Sequence, residues 1–161
     1  KLLSTKYLLK LHKNNNFPST VLRLYLVYGP YQDINRIIPI TIYNCLKNRT
    51  FDCSSGTQFR DFLYIDDLIS AIFKILKTKK TIGEIFNIGY GKPTQIKKLI
   101  NKIHTLINRG QPNFGKIKLR KDEIKLLFPS ISKIKSYIRW YPKTNLRVGL
   151  KKTIKYYKNA I

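Results

Sequence analysis

The stretch Gly56-Thr57-Gln58-Phe59-Arg60-Asp61-Phe62-Leu63-Tyr64-Ile65-Asp66-Asp67 decides the fold, because a chain poor in carboxylates spends three of them here. The protein has eight acidic residues against 32 Lys and Arg. Phe59, Phe62, Leu63, Tyr64 and Ile65 read as a short β-strand buried on both faces. Asp66-Asp67 ahead of Leu68-Ile69-Ser70-Ala71-Ile72-Phe73 read as an N-cap opening a helix. Arg60 is thereby held at the mouth of a rigid strand, with Asp61 beside it to orient it and Gly56 behind it to let a ligand approach the backbone. A guanidinium on such a scaffold suits bidentate binding of a phosphate or carboxylate. The alternative is a structural Arg60/Asp61 ion pair.

The same alternation extends outward. Lys1 to Asn15 carries leucines at near-helical spacing and ends at Asn14-Asn15-Asn16, and Thr20 to Val27 follows as an apolar, β-rich run. Gly29-Pro30 breaks it, and Ile37 to Tyr43 starts another helix with Pro39 in its first turn. A helix runs from the central stretch to about Lys77, and Gly83 to Gly89 forms a strand. Thr94 is then expected to cap a helix in which Ile96, Leu99, Ile100, Ile103, Leu106 and Ile107 share one face, with Gly110 stopping it. Lys116 to Arg120 is a candidate short strand, Ile131 to Trp140 a short helix, and Leu146 to Tyr157 a last helix capped by Asn145. Strands alternating with helices predict an α/β protein with a parallel, sandwiched sheet.

Length and composition bound what this unit is. At 161 residues with 43% apolar content, one domain or a piece of one is expected. No apolar run is long enough for a membrane span, and no apolar leader opens the chain. Cys45 and Cys53 have no His pair nearby, and His12 and His104 stand alone, so no metal site and no disulfide framework is expected. Unpaired cysteines fit a reducing, cytoplasmic setting. The chain contains no Met and begins Lys-Leu-Leu, which reads as the downstream part of a longer polypeptide.

A net charge of +24 ordinarily points to nucleic acid. Lys is spread along the whole chain, however, and the abundance of Lys, Ile and Asn is what A/T-rich codons supply. Nucleic acid is accordingly disfavoured as a partner, although a basic nucleic-acid-binding module stands as the alternative reading. An RNP-type aromatic sequence, a zinc-finger spacing and a basic region with heptads are all absent.

Three stretches in order carry a family resemblance: Leu22-Arg23-Leu24-Tyr25-Leu26-Val27-Tyr28-Gly29-Pro30, Gly56 to Asp67, and Phe86-Asn87-Ile88-Gly89. With Arg120-Lys121-Asp122-Glu123 and Trp140-Tyr141-Pro142 after them, the chain resembles the C-terminal part of a Rossmann-like extended short-chain dehydrogenase/reductase with its smaller α/β substrate-binding lobe. More narrowly, it is similar to the NAD-dependent epimerase/dehydratase family, which acts on nucleotide sugars. The resemblance covers residues 1–161 as the C-terminal half of such a domain, the N-terminal dinucleotide-binding part being missing.

The resemblance implies roles residue by residue. Lys1 matches the lysine of the family's catalytic Tyr-x-x-x-Lys, which lowers the tyrosine pKa and holds the nicotinamide ribose. Val27, Tyr28 and Pro30 match the segment lining nicotinamide and sugar. Arg60 matches the arginine that grips the nucleotide diphosphate, and Arg120, with Asp122 nearby, a second one on the nucleotide side. The implied cofactor is NAD or NADP, bound mainly by the missing half. The implied partner is a nucleotide-diphosphate sugar, with a homodimer possible in the full-length protein. Two departures stand out. Leu26 replaces an asparagine that contacts the sugar nucleotide, and Gly89-Tyr90-Gly91-Lys92-Pro93 is neither G-x-G-x-x-G nor a Walker loop. This part alone is therefore expected to be inactive, and an inactive fragment of the same family is a further alternative.

Overall fold

A computed structural model of the protein describes residues 1–160. Helix α1, Leu2–Asn15, leads into two short strands, β1 at Val21–Leu24 and β2 at Leu26–Tyr28. The single strand expected from Thr20 to Val27 is interrupted at Tyr25, where the chain changes partners. β1 lies parallel to β6, Ile85–Ile88, in the register Val21↔Ile85 to Leu24↔Ile88. β2 lies parallel to β5, Phe62–Tyr64, in the register Leu26↔Phe62 to Tyr28↔Tyr64. Tyr25 sits at the changeover and donates its N–H to the Ile88 carbonyl at 3.1 Å.

The central stretch is likewise divided. β4, Phe59–Arg60, and β5 are separate strands with Asp61 between them. Helix α3, Ile65–Leu76, follows β5 directly, with Tyr64 at its N-cap position and no side-chain cap. Asp66 and Asp67 therefore stand in its first turn, which corrects the expected N-cap. Their charge still favours that end of the helix dipole. Asp67 does a second thing: its carboxylate accepts the backbone N–H of Lys143 at 3.0 Å and of Thr144 at 2.9 Å, tying a distant loop to the start of α3.

The remaining elements assemble around two apolar clusters. In the first, helix α2, Ile37–Leu46, packs with α4, Ile96–Ile107, and α6, Leu146–Ala160, against Tyr28, Phe62 and Tyr64. Leu99 and Ile103 of α4 are fully buried, as the spacing requires. The second cluster gathers Leu63, Leu68, Ala71, Phe86 and Ile88 under α5, Ser132–Ile138, and Trp140. The Trp140 indole donates to the Ser70 hydroxyl at 2.9 Å, so its polar atom is satisfied as the ring is buried.

Two small ladders frame one side of the molecule. β3, Thr50–Ser54, runs parallel to β8, Gln111–Ile117. β4 lies between β7, Thr94–Gln95, and β9, Leu126–Leu127. Thr94 is thus a strand residue and not the cap of α4, whose N-cap position is Gln95. That helix ends at Asn108, in the left-handed region at φ 58°, ahead of Gly110. The strand anticipated at Lys116 to Arg120 lies earlier, at Gln111–Ile117. The cap at Asn145 is as expected: its side-chain oxygen accepts the N–H of Val148 at 3.0 Å.

Helix α1 differs from the others in having no buried residue, and Leu2, Leu3 and Tyr7 are exposed on it. No helix among the described residues is long and apolar enough to cross a membrane.

Gly149 sets the approach of α6 to the strands, because a Cβ there would run into the phenol of Tyr28 and the ring of Tyr64. Helix propensity alone would make Gly149→Ala stabilising by about 1 kcal/mol. We expect the opposite sign, a loss of about 1–3 kcal/mol from overpacking, read by urea denaturation.

Candidate functional site

Asp61, buried to 1% exposure, organises the site from the inside. It does not orient Arg60. Its Oδ1 accepts the backbone N–H of Tyr90 at 2.7 Å, and its Oδ2 accepts those of Gly91 at 2.6 Å and Lys92 at 3.2 Å. The turn after β6 would otherwise present three successive amides as an anion-binding concavity. Asp61 fills that concavity with the protein's own carboxylate. Burial pushes its carboxyl above the ordinary range, with the three amides pulling the other way.

Arg60 points elsewhere. One of its terminal nitrogens donates to the carbonyls of Phe59 and Ile124, each at 2.7 Å, and the other pairs with Glu123. Both members of the expected Arg60/Asp61 pair are real anchors, but with different partners. The Arg60 side chain is only 14% exposed, and its guanidinium is held from two sides, by its own strand and by the segment leading into β9. Such double anchorage fixes the planar fork before any ligand arrives.

Arg60 lines a cavity of about 400 Å³ between α2, α4 and the β3/β8 ladder. Ile37, Ile40, Phe51 and Ile117 give it apolar walls, and Asn44, Ser54 and Gln58 give it polar points. Oε1 of Gln58 is buried without a hydrogen-bond partner. Mostly apolar walls with a few converging polar groups are the usual make-up of a small-molecule pocket. Cys53 also faces this cavity, and burial pushes its thiol and that of Cys45 up, the latter to about 11.

The other residues singled out from the sequence are placed as follows. Leu26 lines the cavity with Arg60, so an apolar side chain stands where the resemblance implies an asparagine. Lys1 is exposed at the N-cap position of α1. The Val27 carbonyl accepts the Gln32 side-chain amide at 2.8 Å, and Pro30 is half-buried after Gly29. Tyr28 turns its ring into the core beside Tyr64 and Phe62, where burial raises its phenol well above the ordinary range. Only its backbone is left for a ligand. Arg120 and Asp122 are exposed on the segment that carries Glu123, and neither lines the Arg60 cavity. Glu123, the carboxylate that meets Arg60, was not singled out. Its neighbourhood to Asp122 was the signal, but which of the two faces inward depends on how the segment turns. Among the described residues no group of His, Cys, Asp and Glu is arranged to hold a metal ion.

The structure is thus a mixed α/β arrangement in which an anchored arginine lines an apolar cavity. Comparison with known proteins identifies it. The model of the NAD dependent epimerase/dehydratase family matches residues 1–89, and the chain belongs to that family. It is 33% identical over 135 residues to the CDP-abequose synthase of Salmonella muenchen, covering 83% of this chain and 46% of the relative. It is 34% identical over 148 residues to the UDP-glucuronate 4-epimerase of Thermodesulfobacterium geofontis, covering 88% and 44%. Among solved structures, the UDP-glucose 4-epimerase of Thermotoga maritima with UDP-glucose superposes with a TM-score of 0.92 at 27% identity, over 99% of this chain and 52% of that one. The UDP-glucuronic acid 4-epimerase of Bacillus cereus, in complex with UDP-glucuronic acid and NAD, gives 0.87 at 32% identity, over 99% and 51%. The fold is thus that of extended short-chain dehydrogenase/reductase enzymes, and the chain spans about half the length of the relatives it matches.

The Asp61 arrangement makes a sharp prediction. Asp61→Asn keeps the shape but turns an NH₂ toward backbone donors, leaving at least one N–H unpaired at a cost of roughly 1–3 kcal/mol. Because the folded carboxyl titrates above its unfolded value, its contribution to stability falls as pH rises through the carboxylate range and is level above it. Denaturation curves collected from about pH 4 to 7 should show this slope in the native protein and its loss in the variant.

Proposed function

We propose that this chain is the C-terminal, substrate-binding half of an NAD(P)-dependent nucleotide-sugar epimerase, dehydratase or reductase. The observation that carries the reading is Arg60, a doubly anchored guanidinium in the wall of an apolar cavity of about 400 Å³. In this reading Arg60 holds the diphosphate, the apolar walls hold the nucleotide, and Gln58 and Asn44 offer hydrogen bonds to it. In the same reading Arg120, outside the cavity lining in this structure, swings in from the segment that carries Asp122 and Glu123 when the anion binds. The relatives' names, which include CDP-, UDP- and dTDP-linked sugars, support the substrate class.

The cofactor belongs to the whole enzyme. The amides after β6 are taken up by Asp61, so that turn is not open to cradle the cofactor pyrophosphate. Its own contribution is Lys1, at the start of α1, and the backbone of Val27 and Tyr28 at the end of β2. Bound NAD(P) supplies the hydride acceptor and donor for chemistry at the sugar. Lys1 favours the ionised form of a neighbouring tyrosine through its charge. Cytoplasmic location and homodimer formation are parts of the same proposal.

The test is Arg60→Lys in the enzyme that carries this chain. The charge is kept and the planar fork lost, so nucleotide-sugar affinity should fall about tenfold or more by calorimetric titration. A fall in melting temperature with affinity unchanged would reduce Arg60 to the partner of Glu123. Arg60→Ala and Arg120→Ala, singly and together, report whether both grip one diphosphate: additive losses would separate them, and a coupling of about 0.5 kcal/mol or more would join them.

A further inference from the structure

A second cleft lies apart from the Arg60 cavity and shares no lining residue with it. It measures about 840 Å³ and opens between α4 and the amino end of α6. Four cations face it: Lys92 from the turn after β6, Lys98 and Lys102 from α4, and Arg147 from α6. No carboxylate lines the cleft, and among the described residues none of the four forms an ion pair.

These cations are placed against their own interest. Lys98 and Lys102 stand four apart on one helix face, where like charges repel. Arg147 occupies the first turn of α6, the end at which the helix dipole disfavours a cation, and no acidic residue accompanies it there. One anion in the cleft would relieve both conflicts. The rest of the lining says what the anion is attached to. Phe62, Leu106 and Leu146 form an apolar floor, Tyr90 stands beside it, and Thr94 and Thr105 add hydroxyl donors. A bare inorganic ion would leave that apolar surface wet.

We propose that this cleft is a second ligand site, which binds the phosphate of a phosphate ester through Lys92, Lys98, Lys102 and Arg147 and its apolar or aromatic body against Phe62, Leu106 and Leu146. Soluble coenzyme-like esters and lipid phosphates share this chemistry. They differ in whether the body is a ring or an alkyl chain.

The experiment titrates phenyl phosphate, octyl phosphate and inorganic phosphate into the enzyme that carries this chain. At least one ester should bind about tenfold more tightly than inorganic phosphate. Preference for the phenyl ester assigns a ring-bearing ligand, and preference for the octyl ester a lipid-like one. Equal affinity for all three overturns the proposal. Lys98→Glu with Arg147→Glu should weaken ester binding by about tenfold or more. Lys10→Glu with Lys13→Glu on α1, an equal change in net charge, should leave it unaltered, and equal losses in both would mean a diffuse field and no site. Arg60→Ala should also leave ester binding unaltered. If it abolishes binding, the ester sits in the Arg60 cavity and the cleft is not a site. Should the Glu pair melt early, Lys98→Gln with Arg147→Gln makes the same comparison without charge reversal.

Discussion

Two buried aspartates, each satisfied by backbone amides and not by a cation, tie distant segments of this structure to its central stretch. Asp61 takes three N–H groups from the turn after β6, and Asp67 takes two from the loop before α6. In a chain with 32 Lys and Arg, neither has an ion-pair partner among the described residues. The physical reason lies in desolvation. A buried ammonium or guanidinium would have to be stripped of water along with the carboxylate, whereas amides at a turn already need an acceptor. Each aspartate thus solves two problems at once, and together they fasten the segments that follow β6 and precede α6 to the central stretch.

That fastening decides where the remaining charges can act. With Asp61 turned inward, Arg60 is free to reach across to Glu123 and the Ile124 carbonyl, which brings the segment before β9 over the cavity. The three ion pairs of the described residues, Arg60–Glu123, Lys133–Glu84 and Lys152–Asp66, consume three of the scarce acids. Most cations are left facing water or clefts. Of the three pairs, Arg60–Glu123 is the least exposed, with side chains 14% and 23% accessible, and it is the one best placed to fix a geometry. The exposed pairs contribute little to stability.

Periodic features were legible in the sequence and aperiodic ones were not. The stripe of Ile96, Leu99, Ile100 and Ile103 declared α4, and Asn145 declared the start of α6, because burial and capping act within a few residues. The β3/β8 ladder was hidden. β8 contains Pro112, Asn113 and Gly115, all poor strand formers, and its pairing with β3 shifts register between Asp52 and Ser54. Gly115 adopts φ 83°, which an apolar-alternation template does not allow for. Arg60 stood out in the sequence as an anion-site candidate because a lone arginine within an apolar strand run is conspicuous. Its true partner was not, since Glu123 lies more than sixty residues away, and the amides that claim Asp61 have no side-chain identity to read.

The parallel ladders carry a consequence for how the chain reaches this state. β1 waits for β6 and β3 for β8, each pairing closing a loop on the order of sixty residues. During synthesis, α1 and β1 emerge well before the strand that pairs with β1 exists. For several seconds at ordinary elongation rates, β1 is therefore without the β6 partner it pairs with here. Closing loops of that length makes these parallel pairings slow relative to the formation of the helices.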